Sequence, residues 1–390
     1  MPLDCQSRIS RRVQNLQPSP IRRFFGLVES MPDAISLSIG EPDFITPWRV
    51  RESGIFSIEK GHTHYTANLG LAELRREIAD YLERRFGVTY DPASEILVTV
   101  GVSEALDLVM RTLLNDGDRV VVPQPSYVAY PATVELSGGV PVPVATYEDD
   151  AFQLTAGRFD TALRESGAQV ALLGYPNNPT GAILPKERMA SLAEVAVRHD
   201  TLLISDEIYL ELTYGSAPMS FAALPGMRER TILLNGFSKA FAMTGWRLGY
   251  IAAPADLIAA MNKVHSYTAI CASTLAQKAA IEALQRGADD VELMRAEYDQ
   301  RRRVLLHRFA EHGLPCFEPE GAFYAFPSIA HTGLSSMEFA ERLLMEHRVA
   351  VVPGSAFGAC GEGYIRCCYA TSLPLIEEAM HRLRRFLDTL

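Results

Sequence analysis

Lys239 and Arg247 stand eight residues apart in the segment Asn235-Gly-Phe-Ser-Lys-Ala-Phe-Ala-Met-Thr-Gly-Trp-Arg-Leu-Gly249, which follows the apolar run Thr231 to Leu234. A lysine whose pKa is lowered offers a neutral amine able to condense with a carbonyl as a Schiff base. Ser238 and Arg247 are the hydroxyl and the guanidinium that a phosphate ester needs beside such a lysine. Taken alone, a lysine after a strand reads more readily as a surface charge.

Five further segments carry chemistry of the same kind. Leu203-Ile-Ser-Asp-Glu-Ile-Tyr209 puts Asp206 at the end of a buried strand, with Tyr209 three residues on. A carboxylate there needs a partner; a protonated pyridine nitrogen fits, and a helix N-cap is the plainer alternative. Tyr175-Pro-Asn-Asn-Pro-Thr-Gly181 is turn chemistry at another strand end. Thr99-Val-Gly-Val-Ser-Glu-Ala105 runs a strand into Gly101 and opens a helix near Ser103, where backbone N–H groups bind phosphate. Pro125-Ser-Tyr127 supplies an aromatic ring that either stacks on a flat ligand or packs. Tyr364-Ile-Arg366 places an arginine on an apolar strand, where it takes either a substrate carboxylate or an internal salt bridge.

The elements around these segments must bring them to one edge. Short β-rich runs at 96–100, 119–122, 140–144, 170–173, 202–204, 231–234 and 248–252 alternate with helical stretches. This is the pattern of an α/β fold with a mostly parallel sheet covered on both faces, which binds ligands at the carboxyl ends of its strands. Thr46-Pro47 reads as a helix start, with a capping hydroxyl before proline. Leu71 to Phe86 has helical spacing. After Ala253 the pattern changes to a long helix over 272–310, broken near Gly287, then strands at 322–326, 349–352 and 364–369 and a last amphipathic helix over 374–387. The reading is a three-layer αβα large domain over 46–275 and a smaller α+β domain over 276–390, joined by an N-terminal arm over 1–45. Within that arm, Ile21 to Phe25 reads as a segment that closes over a site.

Composition narrows the partners. The 390 residues are 48% hydrophobic and 22% charged, with a net charge of −10, which suits a globular chain and not a nucleic-acid binder. Six cysteines show no metal-ligand spacing and read as reduced thiols, so no metal is expected. No apolar run reaches transmembrane length, so no membrane is expected. The stretch MPLDCQSRISRR lacks the apolar core of a signal peptide, and the expected location is the cytoplasm.

Together with Ser36-Leu-Ser-Ile-Gly-Glu-Pro-Asp43 and His64-Tyr-Thr-Ala-Asn-Leu-Gly70, these motifs make the chain resemble the class I/II aminotransferases, fold-type I enzymes that use pyridoxal 5′-phosphate. The resemblance implies that Lys239 carries the cofactor as a Schiff base and moves the substrate's α-proton. It implies Asp206 at the pyridine nitrogen, Tyr209 and Asn178 at the ring hydroxyl, and Tyr127 stacked on the ring. The phosphate would meet Ser238, Arg247 and the backbone at Val102 and Ser103. Substrate would meet Gly40, Asn178 and Arg366. Family members often have a cis bond at the position of Asn178-Pro179. The matching tyrosine, Tyr65, crosses to the partner's cofactor phosphate, which implies a homodimer with shared active sites. The implied reaction moves an α-amino group from an L-amino acid, aromatic or of broader range, to a 2-oxo acid such as 2-oxoglutarate. Bacterial relatives that prefer aspartate often carry Lys where Ser103 stands. Phe24, Phe25, Ile39, Tyr65, Tyr267 and Phe357 are candidates for an apolar side-chain pocket. A C–S β-lyase would keep all these residues. A non-catalytic regulator would need an appended DNA-binding domain, and a nicotinamide-dependent reductase would need a glycine fingerprint that is missing.

Overall fold

The computed structural model describes residues 5–16, 28 and 31–390. The arm segment Ile21 to Phe25, with Phe24 and Phe25 as pocket candidates, lies outside the described residues.

The first strand, β1 (Ile35–Ser36), is followed by seven that form one sheet: β2 (Ile96–Thr99), β3 (Arg119–Gln124), β4 (Val140–Ala145), β5 (Val170–Gly174), β6 (Leu202–Asp206), β7 (Thr231–Gly236) and β8 (Gly249–Ala252). Their order is β2-β8-β7-β6-β5-β3-β4. All pairs are parallel except those of β8, which runs antiparallel to both β2 and β7. The central strands are mostly apolar and buried because helices cover both faces. Side-chain alternation divides them between the layers. Leu97, Ile232, Leu234 and Ile251 pack with helices Gly101–Leu113 and Ala255–Thr268 on one face. Ile96, Val98, Leu233, Tyr250 and Ala252 pack with helices Ala72–Phe86 and Thr274–Arg286 on the other. Pro141 and Pro143 lie in β4, the edge strand, where a missing N–H has no second neighbour to disappoint.

A second core unites the two ends of the chain. β1 pairs in parallel with β10 (Val349–Ala350), bringing Ile35 and Leu37 into a cluster with Phe323, Tyr324, Ile365 and Phe386. Between β9 (Tyr324–Ala325) and β11 (Val352–Pro353) lies β12 (Ile365–Cys368), antiparallel to both. Helices Ala288–Glu311, Ser336–His347 and Leu373–Leu387 flank these short strands. The last buries Ile376, Ala379, Met380, Leu383 and Phe386, an apolar stripe at helical spacing.

Three local expectations need correction. The helix Trp48–Glu59 has no side-chain cap. Thr46 Oγ1 instead donates to the Ala242 carbonyl at 2.6 Å and accepts from Trp246 Nε1 at 3.0 Å. Distant groups outbid the local turn. The helix Ala255–Thr268 falls in a stretch where no helix was expected. The strand expected over 322–326 is only Tyr324–Ala325; the Ala322 amide donates instead to the Leu212 carbonyl at 2.8 Å, outside the ladder. Among the described residues no helix is long and apolar enough to cross a membrane, and no His/Cys/Asp/Glu cluster could hold a metal.

Candidate active site

β2, β5, β6 and β7 end on one side of the sheet, and their following turns enclose a cleft of about 470 Å³. Gly40, Val102, Ser103, Tyr127, Asn178, Asp206, Tyr209, Ser238, Lys239, Arg247 and Arg366 all line it. Tyr65 does not; it is 80% exposed on this chain's surface. Of the apolar pocket candidates, Ile39 lines the cleft and Phe357 lies buried beside the Arg366 guanidinium, 5.1 Å from it. Tyr267 is 93% exposed and does not line it.

Lys239 is half-buried, and its Nζ donates to the Gly40 carbonyl at 2.7 Å. Burial pushes the amine's pKa down to about 8; Arg366 and Arg247 act in the same direction, while Cys368 and Glu41 oppose it. Asp206 is buried at the end of β6, and burial raises its carboxyl to about 6, against the pull of hydrogen bonds and of Lys239. Oδ2 accepts from Tyr130 Oη at 2.8 Å and Oδ1 from the Ile208 amide at 3.2 Å. Asp206 thus does cap a turn, and no ion-pair partner stands against it among the described residues.

Arg366, 3% exposed on β12, also lacks a carboxylate partner among the described residues, so the internal salt bridge is not found. Its Nη1 donates to Asn178 Oδ1 at 2.9 Å and its Nη2 to the Ser38 carbonyl. Its Nε is buried without a partner among the described residues, and its Cζ lies 4.5 Å from the centroid of the Tyr324 ring. A guanidinium held this way has bonding capacity left for an anion. Tyr209 Oη shares a 2.6 Å hydrogen bond with Tyr324 Oη. The Tyr127 ring meets that of Tyr130 edge-on at 5.5 Å. Asn178-Pro179 is trans; the cis bonds are Tyr175-Pro176 and Gln124-Pro125. An X–Pro bond tolerates either isomer, so residue type alone does not choose among these prolines.

At the other end of the cleft, glycines let backbone meet backbone. Gly101 opens its helix at φ +78°, a left-handed conformation costly for any side chain. A Cβ at Gly249 would lie 2.8 Å from both the Gly101 carbonyl carbon and the Val102 nitrogen. This close approach sets the free N–H groups of Val102 and Ser103 beside Ser238 and Arg247. Gly249→Ala is expected to cost about 1–3 kcal/mol of stability, because only backbone could move aside. Thermal unfolding checks this; an unchanged midpoint would show that the approach is looser.

Tyr130, Tyr324 and Ser38 were not singled out from sequence. Tyr130 follows Tyr127 by three residues, one helical turn, which was a usable signal; Tyr324 and the Ser38 carbonyl offered none.

A family model described as "Aminotransferase class I and II" matches residues 32–383. The chain belongs to this family. YugH of Bacillus subtilis (strain 168) is 52% identical over 381 residues, covering 98% of both chains. The aspartate aminotransferase of Pyrococcus abyssi (strain GE5 / Orsay) is 46% identical, covering 97% of this chain and 98% of its own. Among solved structures, the aromatic aminotransferase from Pyrococcus horikoshii OT3 superposes with a TM-score of 0.90 at 46% identity, over 94% of this chain and 99% of its own. The aspartate aminotransferase from Thermus thermophilus with maleate gives 0.92 at 38% identity, over 97% and 99%. The protein is therefore a fold-type I aminotransferase, of a family whose members use pyridoxal phosphate.

Proposed function

We propose that this aminotransferase holds pyridoxal 5′-phosphate on Lys239 and moves amino groups from aromatic or other L-amino acids of a broad range to a 2-oxo acid such as 2-oxoglutarate. One observation carries the reading. A lysine amine softened to about pH 8 shares a cleft with a buried carboxylate that has no ion-pair partner among the described residues.

The residues present fit the cofactor. The backbone approach that a Cβ at Gly249 would fill leaves the Val102 and Ser103 amides, Ser238 and Arg247 to take its phosphate. Asp206 would face its ring nitrogen and keep that nitrogen protonated. Tyr209 and Asn178 would meet its ring oxygen and Tyr127 its face. When bound, the cofactor supplies a conjugated ring that accepts the electron pair left behind by the substrate's α-hydrogen. Everything else falls to the chain. Arg366 anchors the substrate α-carboxylate and Asn178 holds Arg366 in place. Lys239 Nζ would take the proton from the substrate α-carbon as general base.

A lowered lysine pKa has a direct consequence. Only the neutral amine attacks an aldehyde, so capture of pyridoxal phosphate by the apoprotein should accelerate with rising pH and level off above about 8. Stopped-flow absorbance measures it; a midpoint near that of an ordinary lysine would show that burial does not tune Lys239.

Relatives named for aspartate and for aromatic amino acids both lie close to this chain, and support a broad donor range. Ser103 in place of lysine argues against strict aspartate preference. Tyr65 is exposed, as are Tyr267 and, on the helix just before it in the chain, Trp48, Phe56 and Ile58, and we propose that Tyr65 meets a second copy and reaches that copy's phosphate site. Sedimentation should give a dimer of the 43.0 kDa chain; a monomer that turns over at full rate would remove Tyr65 from the site. A panel of amino donors against 2-oxoglutarate, pyruvate and oxaloacetate tests the reaction. Amino transfer from aromatic donors to 2-oxoglutarate is expected. Pyruvate and ammonia from cysteine-type donors, without transfer, would make the enzyme a lyase.

A further inference from the structure

The turn that delivers the Val102 and Ser103 amides is held in an uncommon way. Val100, the residue before the helix, has no capping side chain of its own. Glu104 reaches back instead, and its Oε2 accepts the Val100 amide. Its other oxygen, Oε1, lies 2.9 Å from Nδ1 of His265. Glu104 does not line the cleft, and the His265 side chain is 0% exposed. His265 sits on helix Ala255–Thr268, whose Ile258 and Met261 pack with Ala105, Leu108 and Val109 of the helix that Glu104 belongs to.

The imidazole is expensive where it stands. Its Nε2 is buried with no partner among the described residues, a cost that an apolar side chain of similar size would avoid. Its visible return is the bond to Glu104. His265 also ties in the surface beyond: its carbonyl accepts the Ala269 and Ile270 amides, each at 3.0 Å, and the Ile270 carbonyl accepts Asn68 Nδ2 at 2.8 Å. From the same loop, the Leu69 carbonyl accepts the Val98 amide of β2 at 3.1 Å. Side chains of a part-buried pair thus join the turn to the helix behind it, while the bonds to the Asn68 loop run through that helix's backbone.

We propose that Glu104 and His265 are positioning residues that hold the Val100–Ser103 turn in the shape that receives a phosphate ester. The inference rests on the cofactor reading above and concerns only its phosphate end. Glu104 fixes the turn through the Val100 amide, and His265 fixes the rotamer of Glu104. The same bond draws the carboxylate charge toward the interior, away from the anion at the helix start.

The experiment titrates apoprotein with pyridoxal 5′-phosphate and, separately, with pyridoxal, which lacks the phosphate, following visible absorbance and intrinsic fluorescence. Glu104→Asp keeps the charge but is too short to reach Val100 and His265 together. His265→Leu removes the donor, and His265→Asn restores one near the place of Nδ1. Glu104→Asp and His265→Leu should each bind the phosphate form about tenfold more weakly while binding pyridoxal within about twofold of the parent. His265→Asn should recover most of the loss. Equal weakening of both ligands would mean a merely structural role and overturn the inference. So would unchanged affinity for the phosphate form, or an asparagine variant as weak as leucine. If His265→Leu does not fold, Glu104→Asp carries the same comparison. A parent protein that captures neither aldehyde refutes the cofactor reading itself, and the inference falls with it.

Discussion

Lys239→Ala should lower multiple-turnover transamination at least about a thousandfold and abolish the absorbance of the lysine–cofactor conjugate. The loss has two parts. Without the amine there is no covalent tether, so cofactor stays only through its phosphate and ring contacts. Without the amine there is also no base at the substrate α-carbon, because the other groups there are poorly suited. Tyr209 already shares its proton with Tyr324, and Asp206 is committed to Tyr130 and the Ile208 amide. The variant should remain folded, since it gives up one hydrogen bond to the Gly40 carbonyl and sheds a costly buried amine. Steady-state turnover with any good donor, together with the visible spectrum, checks this. Activity within about tenfold of the parent would remove Lys239 from the reaction.

Arg366→Ala should weaken kcat/KM for every α-carboxylate substrate by similar factors, corresponding to about 2–5 kcal/mol. The arginine is 3% exposed, and water cannot replace it as an anion's partner. Its removal also leaves Asn178 Oδ1 and the Ser38 carbonyl without their donor, so part of the loss reflects disorder in the wall of the cleft. Two donors with different side chains separate the roles. A parallel fall for an aromatic and an acidic amino acid places Arg366 at the shared carboxylate; a fall confined to one would assign it to the side chain.

Much of the site was legible in local sequence because each motif ends a buried strand. In an open α/β sheet all the parallel strands end on the same side, so a lysine, a carboxylate and a glycine turn at three strand ends are neighbours by topology alone. That is why Lys239, Asp206, Ser238 and Val102 could be placed together from pattern. The local capping rule failed for Thr46, whose hydroxyl answers to Ala242 and Trp246 and not to its own helix. Local pattern could not find Tyr324, which meets Tyr209 across 115 residues, or Tyr130, which meets Asp206 across 76.

By itself the sequence determined which groups can do the chemistry and that one edge of one sheet presents most of them, because strand periodicity and turn residues are local properties. Only the tertiary structure decided their state. The amine near pH 8 and the carboxyl near 6 come from burial, and burial is a sum over residues distant in the chain. The hold on Arg366 by a carbonyl 328 residues away, and the bond of Glu104 to His265 161 residues on, exist only once segments distant in the chain have packed together.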